Sequence, residues 1–300
     1  MSVELRPVET EAAIEAFLDV RARVDPEFPI TRGNFDDGRN RPDRLDVLAY
    51  LDGEHIGAAW AYLPSSSGAS EFMFVSVRVV PERRRSGVGS ALFARVSEHA
   101  RMYGRSRLYT VTRDADTDTP EYLGKRGYVE LSRMEQLARD LSMSLPEEPP
   151  PAGIEIVPVT DEHEQGMWEV AKEANPDIPS ADPIVAGEFD VWRRRELGEL
   201  TYRELSFVAL EDGVVVGWGT LGEDQPGTAA GHYMTGVARR ARGRGVARAL
   251  KLAQMHAARE AGFAELRTQN DVANVAMRRV NEGLGYRVRF VWIHFGGPLL

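Results

Sequence analysis

Residues 237–250 read VARRARGRGVARAL and residues 274–287 read NVAMRRVNEGLGYR; earlier in the chain, residues 79–92 read VVPERRRSGVGSAL and residues 119–130 read TPEYLGKRGYVE. Val237 and Val79, Gly245 and Gly87, Gly262 and Gly104, and Gly285 and Gly127 are each separated by the same 158 positions. One glycine motif recurs by chance, but four landmarks in one register point to a duplicated supersecondary unit.

A chain of 300 residues has room for two ordinary domains, and the constant offset divides it almost in half. The expected boundaries are a first domain over 1–145, a Pro-rich linker over 146–153 and a second domain over 154–300. The linker lies within SLPEEPPPAG (144–153), whose prolines remove backbone donors and fix an extended path. A hydrophobic content of 43% with 28% charged residues fits packed cores and leaves no compositional case for disorder.

The formal charge of -9 argues against a general nucleic-acid binder, which needs Lys and Arg over a broad face. Two local clusters stand out, Arg83–Arg84–Arg85 and Arg239, Arg240, Arg242 and Arg244, at matching places in the repeat. Zero cysteines excludes disulfides and an enzyme-bound thioester, so an acyl group must go directly to its acceptor or through another nucleophile. Glu4, Arg6, Glu9, Glu11 and Glu15 break the first twenty residues, so neither a signal peptide nor a membrane span is expected, and the expected location is cytoplasmic. The six histidines show no paired metal spacing, and no metal is expected.

Each half opens on a short strand and a Thr- or Asp-capped helix, then a hairpin turning on Asp-Gly (Asp52-Gly53, Asp212-Gly213). A further strand, the glycine loop, a helix of about fifteen residues ending at Gly104 or Gly262, a buried strand, a shorter helix and terminal strands follow. That order predicts a mixed α/β sheet with helices on both faces.

A strand that runs through RRSGVG or RGRGVA into a helix presents backbone N–H groups without intrahelical partners, at the positive end of the helix dipole. The P-loop pattern fails in both copies, and the dinucleotide fingerprint fails at Leu92 and Arg248. These residues resemble the GNAT superfamily of acetyl-CoA-dependent N-acyltransferases, whose first signature is Arg or Gln, two variable residues, Gly, one variable residue, then Gly or Ala. Arg84, Gly87 and Gly89 fit it, as do Arg242, Gly245 and Ala247; Arg240, Gly243 and Gly245 also match, but only the Arg242 register keeps the spacing from Val237. The family's second signature, an Asn eleven positions before a Gly-aromatic pair, is met by Asn274 and Gly285-Tyr286, with Asp116 at that place in the first half. The pairing in tandem is similar to the architecture of mycothiol synthase.

The resemblance implies two tandem α/β domains, each a mixed, mostly antiparallel twisted sheet flanked by helices. It implies acetyl-CoA as co-substrate, held in the second half by Val237, Ala238, Arg239, Arg242, Gly243, Arg244, Gly245, Val246, Ala247 and Asn274. The matching seat in the first half is Val79, Arg84, Arg85, Ser86, Gly87, Val88, Gly89 and Ser90. Backbone N–H at the valine position would polarise the thioester, a contribution of about 3 kcal/mol. An alkylammonium near pKa 10 is only about one part in a thousand neutral at pH 7, roughly 4 kcal/mol that a base or a water chain must help supply. Tyr233 is the first candidate base and His232 the second. Strand alternation sets Thr235, Tyr233 and Gly231 against Met234 and His232, and a bulge would exchange the two sets.

Many family members carry a tyrosine acid four residues before the glycine of the second signature. Here Asn281 and Leu123 stand at that place, with Tyr122 one residue off, so Asn281 offers an amide to the departing thiolate instead. Asn274, Asn281 and Asn270 favour the second half as catalytic, and the first half is degenerate or binds acetyl-CoA only. The expected partner is a small-molecule or peptide amine, not nucleic acid or membrane, with the chain a monomer or homodimer. The alternative is a non-catalytic CoA-binding sensor or scaffold.

Overall fold

The computed structural model describes residues 3–26, 30, 32–64, 70–180, 184–225 and 229–300, apart from the side chains of Asn34, Asp37 and Gln225. The elements of the earlier repeat are β1 (Val3–Pro7), α1 (Glu11–Val24), α2 (Arg32–Arg39), β2 (Leu45–Leu51), β3 (Glu54–Tyr62), β4 (Phe72–Val79), α3 (Val88–Met102), β5 (Arg107–Arg113), α4 (Asp118–Gly124) and β6 (Val129–Asp140). Those of the later repeat are β7 (Glu155–Pro158), α5 (Glu164–Ala174), α6 (Phe189–Glu196), β8 (Phe207–Glu211), β9 (Val214–Gln225), β10 (Ala229–Val237), α7 (Val246–Glu260), β11 (Glu265–Asp271), α8 (Val275–Gly283) and β12 (Arg287–Pro298).

The turn chemistry read from the sequence is present in both repeats. Thr10 caps α1 by accepting from Ala13 N–H at 3.2 Å. Asp52-Gly53 and Asp212-Gly213 take positive φ at both positions (51° and 84°, 50° and 76°), which is the turn that matches strand twist in a two-residue hairpin. Gly104 and Gly262 close α3 and α7 in left-handed conformations, and the next amides reach back to Ala100 and Ala258.

Two compact units result, and neither is one uninterrupted stretch of chain. The first contains Met1–Thr112, Asp116–Leu131 and His294–Leu300; the second contains Arg113–Ala115 and Ser132–Ile293. In the first, β1 to β4 run antiparallel in sequence order and β5 lies parallel to β4. Its last strand is the end of β12, where Pro298 accepts from the Tyr128 hydroxyl at 3.1 Å. Gly297 is required there, because a Cβ would sit 2.3 Å from the Tyr128 ring.

In the second unit the order is β7-β8-β9-β10-β11-β6, with β10 and β11 parallel and the other neighbours antiparallel. Residues 132–145, which the sequence places with the first half, cluster here: β6 pairs with β11 from Met134↔Asp271 to Asp140↔Glu265. That pairing covers the β11 edge, whose N–H and C=O groups would otherwise stand open. The proline-rich stretch also belongs to this unit. Leu145 is buried, Glu148 pairs with Arg248 at 2.7 Å and Pro146 O lies 3.0 Å from His256 Nε2.

Candidate active site

Both units contain a wedge between two parallel strands. In the second, β10 pairs with β11 only from Ala229 to Gly231, although β10 continues to Val237 and β11 to Asp271. In the first, β4 pairs with β5 only from Phe72 to Phe74 and then runs on to Val79. Ala238 N–H donates to Val216 O at 2.8 Å, and Val80 N–H to Ile56 O at 3.0 Å. Because alternate amides of a strand point to opposite sides, those of Val237 and Thr235, and of Val79 and Val77, face into the wedges.

The glycine loop stands at the mouth of each wedge. Gly245 and Gly87 both sit at φ +87° as the residues before α7 and α3, and neither helix has a side-chain cap. The first-turn amides therefore lack a capping side chain and stand at the positive end of the helix dipole, an arrangement suited to an anion. Each helix can lie close enough to deliver them because the facing strand carries glycine. A Cβ at Gly57 would meet Val88 at 2.9 Å, and one at Gly217 would meet Val246 at 3.2 Å.

The loop arginines are tied into the fold. Arg242 Nε donates to Val237 O at 3.0 Å and Arg84 Nε to Val79 O at 3.4 Å, closing the turn onto the strand end. Arg239 and Arg242 share Asp177, whose carboxyl these hydrogen bonds hold far below its usual range; Arg240 and Arg244 share Glu211. In the first loop Arg83 pairs with Glu54 at 2.8 Å, and Ser86 donates to Arg83 O at 2.6 Å. The second-signature residues act as helix caps: Asn274 accepts from Met277 N–H, and Asp116 accepts from the amides of Asp118 and Thr119.

Arg85 adopts φ +62° where the second loop has Gly243 at +74°. A left-handed non-glycine residue costs about 1–2 kcal/mol, and the extra unfolded-state freedom of glycine returns about 0.4–1 kcal/mol of that. Arg85→Gly is expected to stabilise the protein by about 0.5–1 kcal/mol in urea unfolding. A loss of stability would mean that Arg85 makes a compensating contact.

A register shift between His232 and Met234 makes Tyr233 the extra residue of β10. The bulge sorts the side chains: His232 joins Thr235 on the face toward α7, and Tyr233 joins Met234 on the face toward α6. Tyr233 lies over Gly222 and donates to Glu223 O at 2.9 Å, and burial pushes its hydroxyl up to about 12, away from the range of a base at neutral pH. His232 is buried with Nε2 2.6 Å from the Tyr286 hydroxyl, and burial holds its pKa well below the usual value, so the ring is neutral. Asn281 is fully buried and donates through Nδ2 to Asn270 Oδ1 at 2.7 Å.

Glu196, the last residue of α6, carries no signal in the sequence. Its Oε1 accepts from Trp218 Nε1 at 3.1 Å and from Thr220 Oγ1 at 2.6 Å, both on the α6 face of β9. Burial raises this carboxyl despite those hydrogen bonds. The Trp218 ring lies against Gly236 of β10, where a Cβ would come within 2.1 Å, and Thr220 pairs with Met234. The first unit fills the same face differently: Arg78 stands at the place of Gly236, Ala58 at Trp218 and Trp60 at Thr220. There Arg21 stacks on Trp60 at 4.1 Å, and Arg78 Nε donates to Asp25 at 2.6 Å.

The acetyltransferase (GNAT) family model matches residues 11–128 and again 167–286. Among solved structures, a GCN5-related N-acetyltransferase from Sphaerobacter thermophilus superposes with a TM-score of 0.82 at 20% identity, covering 99% of this chain and 96% of that one. A tandem GNAT protein from the clavulanic acid biosynthesis pathway gives 0.77 at 21% identity, covering 100% and 99%. A putative acetyltransferase from Pyrococcus horikoshii gives 0.59 at 17%, covering 99% and 89%. No curated relative matches the chain. Among the described residues, no helix is long and apolar enough to cross a membrane.

Proposed function

The chain belongs to the acetyltransferase (GNAT) family, and from that premise we propose that it is an acetyl-CoA-dependent N-acyltransferase whose second unit moves an acetyl group directly to a primary amine of a small molecule or peptide. The observation that carries this reading is the pairing, in one unit, of an uncapped glycine-loop helix with a wedge lined by unused strand amides. The residues fit the co-substrate. The amides of 243–247 suit a pyrophosphate, and those of Val237 and Thr235 suit the amide-bearing arm and thioester carbonyl that follow it.

Acetyl-CoA supplies the thioester, and this chain supplies orientation, polarisation and proton transfer. With the carbonyl oxygen on strand amides, attack by the neutral amine would form the C–N bond as the C–S bond breaks, and CoA would leave as a thiolate that takes up the proton shed by the new amide nitrogen. Glu196 is the group best prepared to take the ammonium proton, because its raised pKa places it closer to neutrality than an ordinary carboxyl. It lies behind Trp218 and Thr220, so the proton passes through the Thr220 hydroxyl or a water to reach it. His232 and Asn281 belong to the opposite face.

In the first unit the glycine loop is intact, but Arg78, Trp60 and Arg21 occupy the corresponding acceptor face. This favours binding of the cofactor without turnover there. The test is calorimetry of the full chain with acetyl-CoA, paired with thiol release on a panel of primary amines. Gly245→Ala, which forces a Cβ into φ +87°, is expected to weaken one binding event about tenfold and to slow thiol release. Gly87→Ala is expected to weaken only the other event. No acetyl-CoA binding, or turnover lost in Gly87→Ala alone, would overturn the reading.

A further inference from the structure

The narrow end of the second wedge gathers polar side chains where that of the first keeps one, Thr110, among apolar ones. Beyond the last paired residues, Gly231 and Arg267, the strands present His232 and Thr268 toward α7, and Lys251 on α7 reaches down to Thr268 Oγ1 at 3.4 Å. Lys251 is 1% exposed, with its ammonium 5.2 Å from the centre of the Tyr286 ring, and no carboxylate pairs with it among the described residues. One turn further, Gln254 lies against Gly219 and beside His232. Gln254 acts on His232 as a hydrogen-bonding neighbour, and beyond that loose contact His232 Nδ1, Thr235 Oγ1 and both polar atoms of Gln254 are buried without a hydrogen-bond partner among the described residues.

The first unit is an internal control for how this place packs when nothing polar is needed. At the offset of 158, Lys251 falls on Phe93, Gln254 on Val96 and Thr235 on Val77; with Tyr233 as the extra residue, His232 falls on Val75. Phe93 packs edge-on against Tyr128 at 5.7 Å, and the counterparts around it are apolar except Thr110, at the place of Thr268. Four separate changes from apolar to polar around one buried spot cost stability unless something accepts their hydrogen bonds.

We propose that this apex is an acyl-recognition site, and that the second unit prefers an acyl-CoA whose short acyl group ends in a carboxylate over acetyl-CoA itself. The inference rests on the acyltransferase reading above and names its donor. An arm lying along β10 past Val237 directs its acyl group toward Thr235 and then toward the buried amine of Lys251. Three donors converge here: the Lys251 amine, the Thr235 hydroxyl and the Gln254 amide can all serve two carboxylate oxygens. Burial alone pushes the Lys251 amine down to about 7, as expected of a cation waiting for its counter-ion.

The experiment is calorimetry of the full chain with CoA, acetyl-CoA, succinyl-CoA and free succinate. Succinyl-CoA is expected to bind the second unit at least about tenfold more tightly than acetyl-CoA, with free succinate binding negligibly. Near pH 7.5 its binding should take up a proton, seen as a heat that depends on the ionisation enthalpy of the buffer, because the new anion restores the Lys251 charge. Lys251→Met should bring the succinyl-to-acetyl ratio close to one and abolish the proton uptake, and Gln254→Val should reduce the ratio with Lys251 intact. Equal affinity for the two acyl-CoAs, or a preference that survives Lys251→Met, would overturn the proposal while leaving acetyl transfer standing. If no CoA species binds, the acyltransferase reading fails as well.

Discussion

Lys251→Met is expected to make the protein more stable at pH 7, by about 2–4 kcal/mol, and to flatten its stability profile in mild alkali. The wild-type amine has a folded pKa of about 7 against an ordinary value of 10.5, with desolvation as the cause. Between those two values the unfolded chain holds a proton that the folded chain has released. Folding stability from this group therefore rises with pH across the window, by about 1.4 kcal/mol per pH unit, and is lost as pH falls toward 7. Methionine has no such term and fills a similar volume beside Tyr286. Urea unfolding of both proteins at pH 7, 8 and 9 reads the difference directly. Parallel profiles, or a variant less stable than wild type at pH 7, would show that Lys251 already has a partner in the folded protein.

That lysine shows what the sequence could and could not disclose. The repeat, the hairpin turns, the helix ends and the glycine loops were legible because each rests on a local requirement: positive φ, a missing cap, or a period of apolar residues. The cofactor seat followed from the family resemblance. The apex did not, because Lys251 and Gln254 in the middle of a helix look like an ordinary solvated face until the sheet is laid beneath them. Comparison of the two copies could have found it, since Phe93 and Val96 stand where Lys251 and Gln254 do. Glu196 was hidden for a similar reason: its partners, Trp218 and Thr220, lie more than twenty residues away on a strand. The placement of β6 beside β11 was also hidden, because nothing local in a strand states which edge it will cover.

The loop arginines teach the converse lesson. In the second loop Glu173 accepts from the Arg239 backbone N–H, and the side chains of Arg239, Arg240, Arg242 and Arg244 pair with two carboxylates, Asp177 and Glu211. Each carboxylate bridges two arginines and fixes the loop, while the excess positive charge remains where an anionic co-substrate would arrive. Side chains thus brace the turn and backbone amides are left to bind, which accounts for a signature made mostly of glycine and arginine.

Glu196→Gln is expected to cut amine acetylation by about 10²–10³-fold and, at the same time, to stabilise the fold at pH 8. The two effects share one cause. Burial raises the folded pKa of this carboxyl above its ordinary value, so its contribution to stability is complete at low pH and declines as pH rises through the folded pKa. The ionised form that destabilises the folded protein is the form that can accept a proton from the incoming ammonium. Glutamine keeps an oxygen for Trp218 Nε1 and Thr220 Oγ1 but cannot take the proton, so the packing against Gly236 persists while the base is lost. In wild type, kcat/KM should fall on the acid side as Glu196 becomes protonated; in the variant that limb should vanish from the residual rate. A carboxyl with only a structural role would leave the pH profile unchanged, and a variant with full activity would exclude Glu196 as the base. Glu196 and Lys251 lie on opposite faces of β10, one expected to serve the acceptor and the other the acyl group, and each is held away from its preferred charge state by the same burial.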